Sequence, residues 1–287
     1  MYTLYRTIAV MLMTAMSMLQ APMFGELTTW PVCIADTSVT VDNVTVDISD
    51  MDDGLITVDK IKDTHEEVIV TTKPINIDNA KEVAYKLEPN RTHSVLPLQY
   101  GTGQYTVQVV RIDPKTGWRK SLKRATVNVE VDDKYAAFLK PTHYVWYNKN
   151  SPVTEAALSL TQGKIMSDKE ICEAARAYMR RYFVYDYVRA KNLAEDKNIF
   201  IVNHMNMYKP LIDEPFETHM GVCMDLSAIM AAMLRINGIP AMLTVGWADK
   251  NCHAWVTAVV DGKETIYDPT ADIFDVTFTN YEEVQRY

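Results

Sequence analysis

The chain predicts an α+β protein of 287 residues, a β-sandwich followed by a mixed α+β domain. Three observations carry this. From about residue 36 to 131, short runs rich in Val and Thr alternate with turn residues. From about residue 150 the apolar period changes to that of helices. Near the C-terminus, two strand-like runs flank Asp261-Gly262, a strong two-residue hairpin turn. A chain of this length holds about two domains. Its 48% hydrophobic and 23% charged residues are ordinary for a globular protein.

The N-terminus reads as an export signal. Arg6 precedes an apolar stretch from Ile8 to Leu19, too short for a typical spanning helix. Cys33-Ile34-Ala35 places small residues where a signal peptidase reads, so cleavage is expected after Ala35. A short buried helix is the alternative. Residues 1–35 are thus assigned as a signal peptide, and the mature protein as secreted or cell-surface, with no stable membrane span after processing. Cys172, Cys223 and Cys252 then remain. So sparse and odd a set predicts no disulfide framework and at least one free thiol.

Residues 36–131 read as an immunoglobulin-like β-sandwich. Val39, Val41, Val44, Val46 and Ile48 mark apolar positions in a threonine-rich run. Glu67–Thr71, Val83–Leu87, Gln104–Ile112 and Ala125–Val131 are further strands. Gly101-Thr102-Gly103 turns into the third of these, and Asp113–Gly117 links the last two. Such a module carries no chemistry here and suits a spacer, a wall-binding module or a lid.

Residues 132–164 form a connector with Pro141, Pro152 and the aromatics Tyr144, Trp146 and Tyr147. A short helix follows Pro152. Ser167-Asp168-Lys169-Glu170 is a capping box and opens the second domain, 165–287. Its helix carries Ile171, Ala174, Ala175, Tyr178, Met179 and Tyr182 on one apolar face. Residues 188–220 read as a long loop with short elements, a length that is often functional.

A cysteine, a histidine and an aspartate then follow in order. Gly221 breaks the chain, and from Val222 the residues Leu226, Ile229, Met230, Met233 and Leu234 recur at helical spacing. Asn237-Gly238 stops that helix and Pro240 forbids its continuation. Cys223 therefore lies in the first turn. The helix dipole there favours a thiolate, and the unpartnered N–H groups can face an oxyanion.

His253–Val260 is a strand, Asp261-Gly262 the turn and Glu264–Asp268 the return, stopped by Pro269. A two-residue loop sets Val260 opposite Lys263, hence Asp268 opposite Trp255. Trp255 and His253 share a face. His253 and Asp268 are then diagonal neighbours, roughly 7–8 Å apart in the backbone and bridgeable by side chains. A three-residue loop reverses the parity. Each residue alone also fits a core cysteine, a structural histidine or a turn aspartate. The assignment rests on the three meeting one geometric demand together.

These segments resemble the transglutaminase-like superfamily, whose members carry a Cys-His-Asp triad on a papain-like fold. The matching residues are Gly221–Asp225, Gly238–Ala241, His253–Val256 and Tyr267–Thr270, with Tyr185-Asp186-Tyr187 upstream. The resemblance runs from about Ser167 to Ile273 and is nearest to secreted bacterial members. It implies a transglutaminase/papain-like α+β domain with Cys223 as nucleophile, His253 as base and acid, and Asp268 as the orienting residue. The implied chemistry is acyl transfer from a protein or peptide amide through a thioester, with no cofactor. Water as acceptor gives hydrolysis, as in a thiol protease or deamidase; an amine gives a cross-link. Hydrolysis is favoured. A non-catalytic surface module keeping the fold is the rival.

Many relatives supply a second oxyanion donor from an upstream side chain. No Gln occurs between Gln162 and Cys223, which leaves Tyr185, Tyr187, Asn203 and Asn206. Asp225 suits the helix dipole as a structural acid. Trp247 and Trp255 flank the histidine and, with Tyr185 and Tyr187, could line a substrate groove, although Trp255 fits ordinary core better. Cys252 beside His253 invites zinc, but no C-x-x-C or H-E-x-x-H accompanies it, so no metal site is expected. A net charge of −8 and a pI near 5.3 exclude a nucleic-acid partner. The expected partners are a protein or peptide substrate and cell-wall or surface components.

Overall fold

A computed structural model describes residues 38–41, 44–60, 67–87, 93–112, 119–196, 200–202 and 205–287. The expected export signal and the 113–117 link lie outside them, as do Cys33 and Asn203.

The N-terminal part holds two antiparallel four-stranded sheets. One joins β1 (Ser38–Val41), β2 (Val44–Asp47), β3 (Leu55–Lys60) and β6 (His93–Pro97) in that order. The other has the order β5 (Val83–Leu87), β4 (Glu67–Ile75), β7 (Gly103–Ile112), β8 (Arg119–Val129). Val44, Val46, Ile56 and Val58 of the first, with Val68, Val70, Tyr85 and Val107 of the second, are buried in one apolar cluster. Strands β3 and β6 escape the sequence reading. Leu55-Ile56-Thr57-Val58 alternates poorly, and Pro97 argues against a strand where it stands. Here Pro97 closes the strand, and its carbonyl accepts from the Tyr85 hydroxyl at 2.8 Å.

The segment 132–164 is packed through its middle, from residue 136 to 147. Tyr144 and Tyr147 are buried, and the Tyr144 ring lies 6.0 Å from Tyr85 and 4.3 Å from Tyr287. The His143 ring bonds Ser94 Oγ at 3.1 Å and the Lys86 carbonyl at 2.9 Å. The connector aromatics thus seal the N-terminal sheets against the C-terminal part.

The C-terminal part opens with α1 (Pro152–Thr161) and α2 (Asp168–Tyr182). The capping box forms: Ser167 N–H donates to Glu170 at 2.8 Å, and Glu170 N–H to Ser167 Oγ at 3.4 Å. Ile171, Cys172, Ala175 and Met179 are its buried face; Tyr182, at the end of the last turn, stays exposed.

After β9 (Val184–Tyr185), the region 188–220 expected to be mostly loop takes in most of α3 (Tyr187–Glu195), then β10 (Phe200–Val202), β11 (Met205–Met207), α4 (Asp213–Thr218) and the start of β12 (Met220–Gly221). Their shortness hides them from periodicity. Helix α5 (Cys223–Ile236) follows, buried from Met224 to Ile236. A helix apolar on nearly every side belongs at the centre of a domain. It packs against α1, α2 and two strands, β13 (Ala241–Ala248) and β14 (Asn251–Val260). These belong to a sheet ordered β15 (Lys263–Tyr267), β14, β13, β16 (Tyr281–Arg286). The sequence reading lacks β16, whose charged run hides its pairing.

Gly246 marks where β16 presses closest. A Cβ there would lie 2.0 Å from the Glu282 carbonyl oxygen and 2.8 Å from the Trp255 ring. The first contact is backbone, so β16 must move. Gly246→Ala is expected to cost about 1–3 kcal/mol in a denaturant titration, the range for forced overpacking. An unchanged midpoint would refute this close packing.

Candidate active site

Three elements bring Cys223, His253 and Asp268 together. Cys223 is the first residue of α5 and is half-buried. His253 lies near the start of β14 and is 7% exposed. The hairpin register is the one the turn predicts: Val260 pairs with Lys263 and Val256 with Tyr267. Asp268, one residue beyond β15, reaches back so that its Oδ2 meets His253 Nε2 at 2.7 Å. Cys223 stands near enough to the imidazole to raise its pKa, and the two residues line one pocket.

Asp268 also serves the fold. It is the N-cap of α6 (Pro269–Phe274), accepting from Thr270 N–H at 3.0 Å and Ala271 N–H at 2.9 Å through Oδ1. One oxygen is committed to a helix and the other to the histidine, which fixes the carboxylate plane. Pro269 therefore starts a helix as well as stopping a strand. Tyr281 of β16 donates to the same Oδ2 at 3.0 Å. Phe278 closes over the imidazole, with ring centroids 5.1 Å apart. Tyr281 and Phe278 have no signal in the linear sequence, because the sheet alone carries them to the triad.

Burial pulls the His253 pKa down, but its bond to Asp268, the nearby Cys223 and their negative charge outweigh that and push it up to about 9. The imidazole therefore carries its proton across neutral pH, as a thiolate–imidazolium pair requires.

Behind Cys223, the fully buried Asp225 ties the start of α5 down. It accepts from Val222 N–H at 3.1 Å, Leu211 N–H at 3.0 Å and Arg189 Nη1 at 3.1 Å. Burial raises its pKa against the opposing pull of these donors. Burial and the nearby Asp225 raise the pKa of Tyr208, a residue the sequence reading passes over.

The parallel pairing of β9 with β12 sets Tyr185 against Gly221, two residues before the cysteine. Tyr185 and Tyr208 line a pocket of about 180 Å³ that opens around Cys223 and His253. Burial and the nearby Cys223 raise the Tyr185 pKa, so its hydroxyl stays a proton donor.

The remaining aromatics do not wall this pocket. Trp255 is 1% exposed, packed edge-on to Tyr281 at 5.0 Å and beneath His253. Its alternation parity points it into the core with His253. Trp247 pairs across the strands with Cys252 and is packed against the core. Tyr187 is 68% exposed and caps Tyr185 and Phe274 from outside. Asn206 lies in β11.

Among the described residues, Cys172, Cys223 and Cys252 form no disulfide. Burial pushes Cys172 up to about 11, which suits a core thiol. Among the described residues no cluster of three or more His, Cys, Asp or Glu side chains could hold a metal. Nor is any described helix long and apolar enough to cross a membrane.

Residues 156–269 match the model of the transglutaminase-like superfamily. No curated protein matches the chain. Among solved structures, a candidate cysteine protease from Cytophaga hutchinsonii is 16% identical, with a TM-score of 0.37 over 81% of this chain and 86% of its own. Red sea bream transglutaminase is 11% identical, with a TM-score of 0.30 over 75% of this chain, which spans about half of its length (48%). A human fibronectin III domain is 12% identical over 37% of this chain and 93% of its own, with a TM-score of 0.26.

Proposed function

From a chain that carries a transglutaminase-like superfamily domain at residues 156–269, we propose a thiol enzyme that transfers acyl groups from protein or peptide amides, to water in preference to an amine. The observation that carries this is His253 bonded to Asp268 and sharing one pocket with Cys223, which stands at a helix start.

The Cys223 thiolate attacks the amide carbonyl, forming a C–S bond and an oxyanion. First-turn N–H groups of α5, lacking helical acceptors, face that oxygen. His253 gives its proton to the departing nitrogen as the C–N bond breaks, leaving a thioester. It then takes a proton from water, whose oxygen attacks the thioester and releases the acid and the thiolate. Asp268 holds the imidazole in the required orientation throughout.

Tyr185 is the second oxyanion donor in this reading, supported by its place beside Cys223 and its retained proton. Tyr185→Phe is expected to lower turnover about 100-fold, the scale for one such donor, with little change in KM. A wild-type rate would remove it from that role.

The reading places the enzyme outside the cell, with residues 1–35 as the export signal and the N-terminal sheets as an immunoglobulin-like spacer toward cell-wall or surface components. Incubation with peptides, with and without a primary amine, followed by mass measurement, tests the chemistry. Cleavage or a one-dalton gain marks hydrolysis, and amine incorporation marks cross-linking. No change under any condition, together with an inert Cys223, leaves the fold as a binding module.

A further inference from the structure

The pocket beside Cys223 carries more than the triad. Its walls are Tyr185 from β9, Leu193 from α3, Tyr208, Val222 and Met224 on either side of the nucleophile, and Val245 from β13. Among the described residues, no Asp, Glu, Lys or Arg lines it. Arg189 of α3 is bound to Asp225 and Glu214. At about 180 Å³ it is smaller than the pockets that enclose drug-sized ligands and is of side-chain size.

We propose that this pocket selects an uncharged apolar side chain, of leucine size, on the acyl side of the bond that Cys223 attacks. The proposal rests on the acyl-transfer reading above. The acyl side follows from position: the pocket surrounds Cys223 and includes both its chain neighbours, so it receives the part of the substrate that stays bonded to sulfur. The substrate class is then a peptide bond flanked by an aliphatic residue, rather than the side-chain amide of glutamine. Away from the Cys223 and His253 end, a charged side chain would find no charged partner on these walls, and an unpaired buried charge is strongly disfavoured. An apolar one exchanges water for Leu193, Met224 and Val245. Hydrophobic pockets of this kind discriminate by roughly ten- to a hundred-fold.

The wall at α3 is held from behind. Arg189, on that helix, bridges Asp225 of α5 and Glu214 of α4. The pocket is therefore built onto the same buried carboxylate that fixes the start of the nucleophile's helix.

The test uses the full chain and tripeptide acyloxymethyl ketones that alkylate an active-site thiol. Leu, Gln, Glu and Lys are exchanged at each of the two positions nearest the ketone. Leucine at one of them is expected to inactivate at least about ten-fold faster than Glu, Lys or Gln there. Smaller differences at both positions, or a faster charged or glutamine label, overturn the proposal. Ala194→Lys, at the pocket rim, is expected to shrink the leucine-to-glutamate ratio at the selective position. An unchanged ratio also overturns it. Iodoacetamide, which needs no pocket, separates the two readings. If it fails to label Cys223 selectively, the acyl-transfer reading fails; if it labels Cys223 while the peptides show no selectivity, only the pocket assignment does.

Discussion

Asp268→Asn is expected to reduce acyl-transfer turnover about ten-thousand-fold while the protein stays folded. The two oxygens have separate tasks, so the substitution separates them. Asparagine keeps an Oδ1 that accepts from Thr270 and Ala271 N–H, and the start of α6 survives. At the Oδ2 position an amide nitrogen would now meet His253 Nε2 and the Tyr281 hydroxyl. A donor there forces the imidazole to accept, selects the wrong tautomer and removes the charge that supports the imidazolium. Asp268→Ala is expected to lose the same activity and also about 1 kcal/mol of stability with the cap. Turnover and denaturant titrations on both variants check this. An active Asp268→Asn variant would show that the carboxylate serves only the helix.

Arg235→Leu is expected to be the most destabilising single change in the C-terminal part, at about 3 kcal/mol or more. Arg235 is fully buried on α5. Its guanidinium donates to the Ala241 carbonyl at 2.8 Å, the Lys140 carbonyl at 2.8 Å, Thr142 Oγ1 at 3.0 Å and the Tyr287 carbonyl at 3.0 Å. Burial pulls its pKa down to about 10, so it remains charged at neutral pH. Leucine removes one donor from each of four acceptors, of which the Tyr287 oxygen keeps the Leu243 N–H at 2.9 Å; each acceptor left unsatisfied costs roughly 1–3 kcal/mol before relaxation. Arg235→Lys is expected to fall between, since one ammonium cannot span the fork of acceptors. The connector at 140–142 and Tyr287 both hang on this side chain, so the change should loosen the seam between the two parts. A loss below about 1 kcal/mol in a denaturant titration would mean water takes over these acceptors.

The clustering of Cys223, His253 and Asp268 was legible because each member sits at a feature with a strong local signature. Gly221 before an apolar helical period places Cys223, and Asp261-Gly262 fixes the strand parity that aligns His253 with Asp268. Strands β1, β2, β4, β5, β7 and β8 were legible from alternation and β-branched residues. What stayed hidden depends on contacts far apart in sequence. Tyr281 and Phe278 reach the site because β16 pairs with β13, 37 or so residues away, through a charged edge strand. Tyr208 gains its role only from Asp225, and Trp247 and Trp255 lose theirs to packing against the core. Arg235 reads in sequence as a favourable cation in a helix's last turn; its four acceptors come from three other segments.

The pH dependence of Cys223 alkylation tests the central claim most directly. His253 holds its proton until about pH 9, above its ordinary range, so the imidazolium beside the sulfur persists below that pH and is lost as pH rises through it. Iodoacetamide should therefore label wild-type Cys223 faster than a free thiol at neutral pH, and that advantage should fade as pH rises through about 9. In His253→Ala the rate should fall and climb with pH as an ordinary thiol's does. Superimposable pH curves for the two proteins would contradict the account.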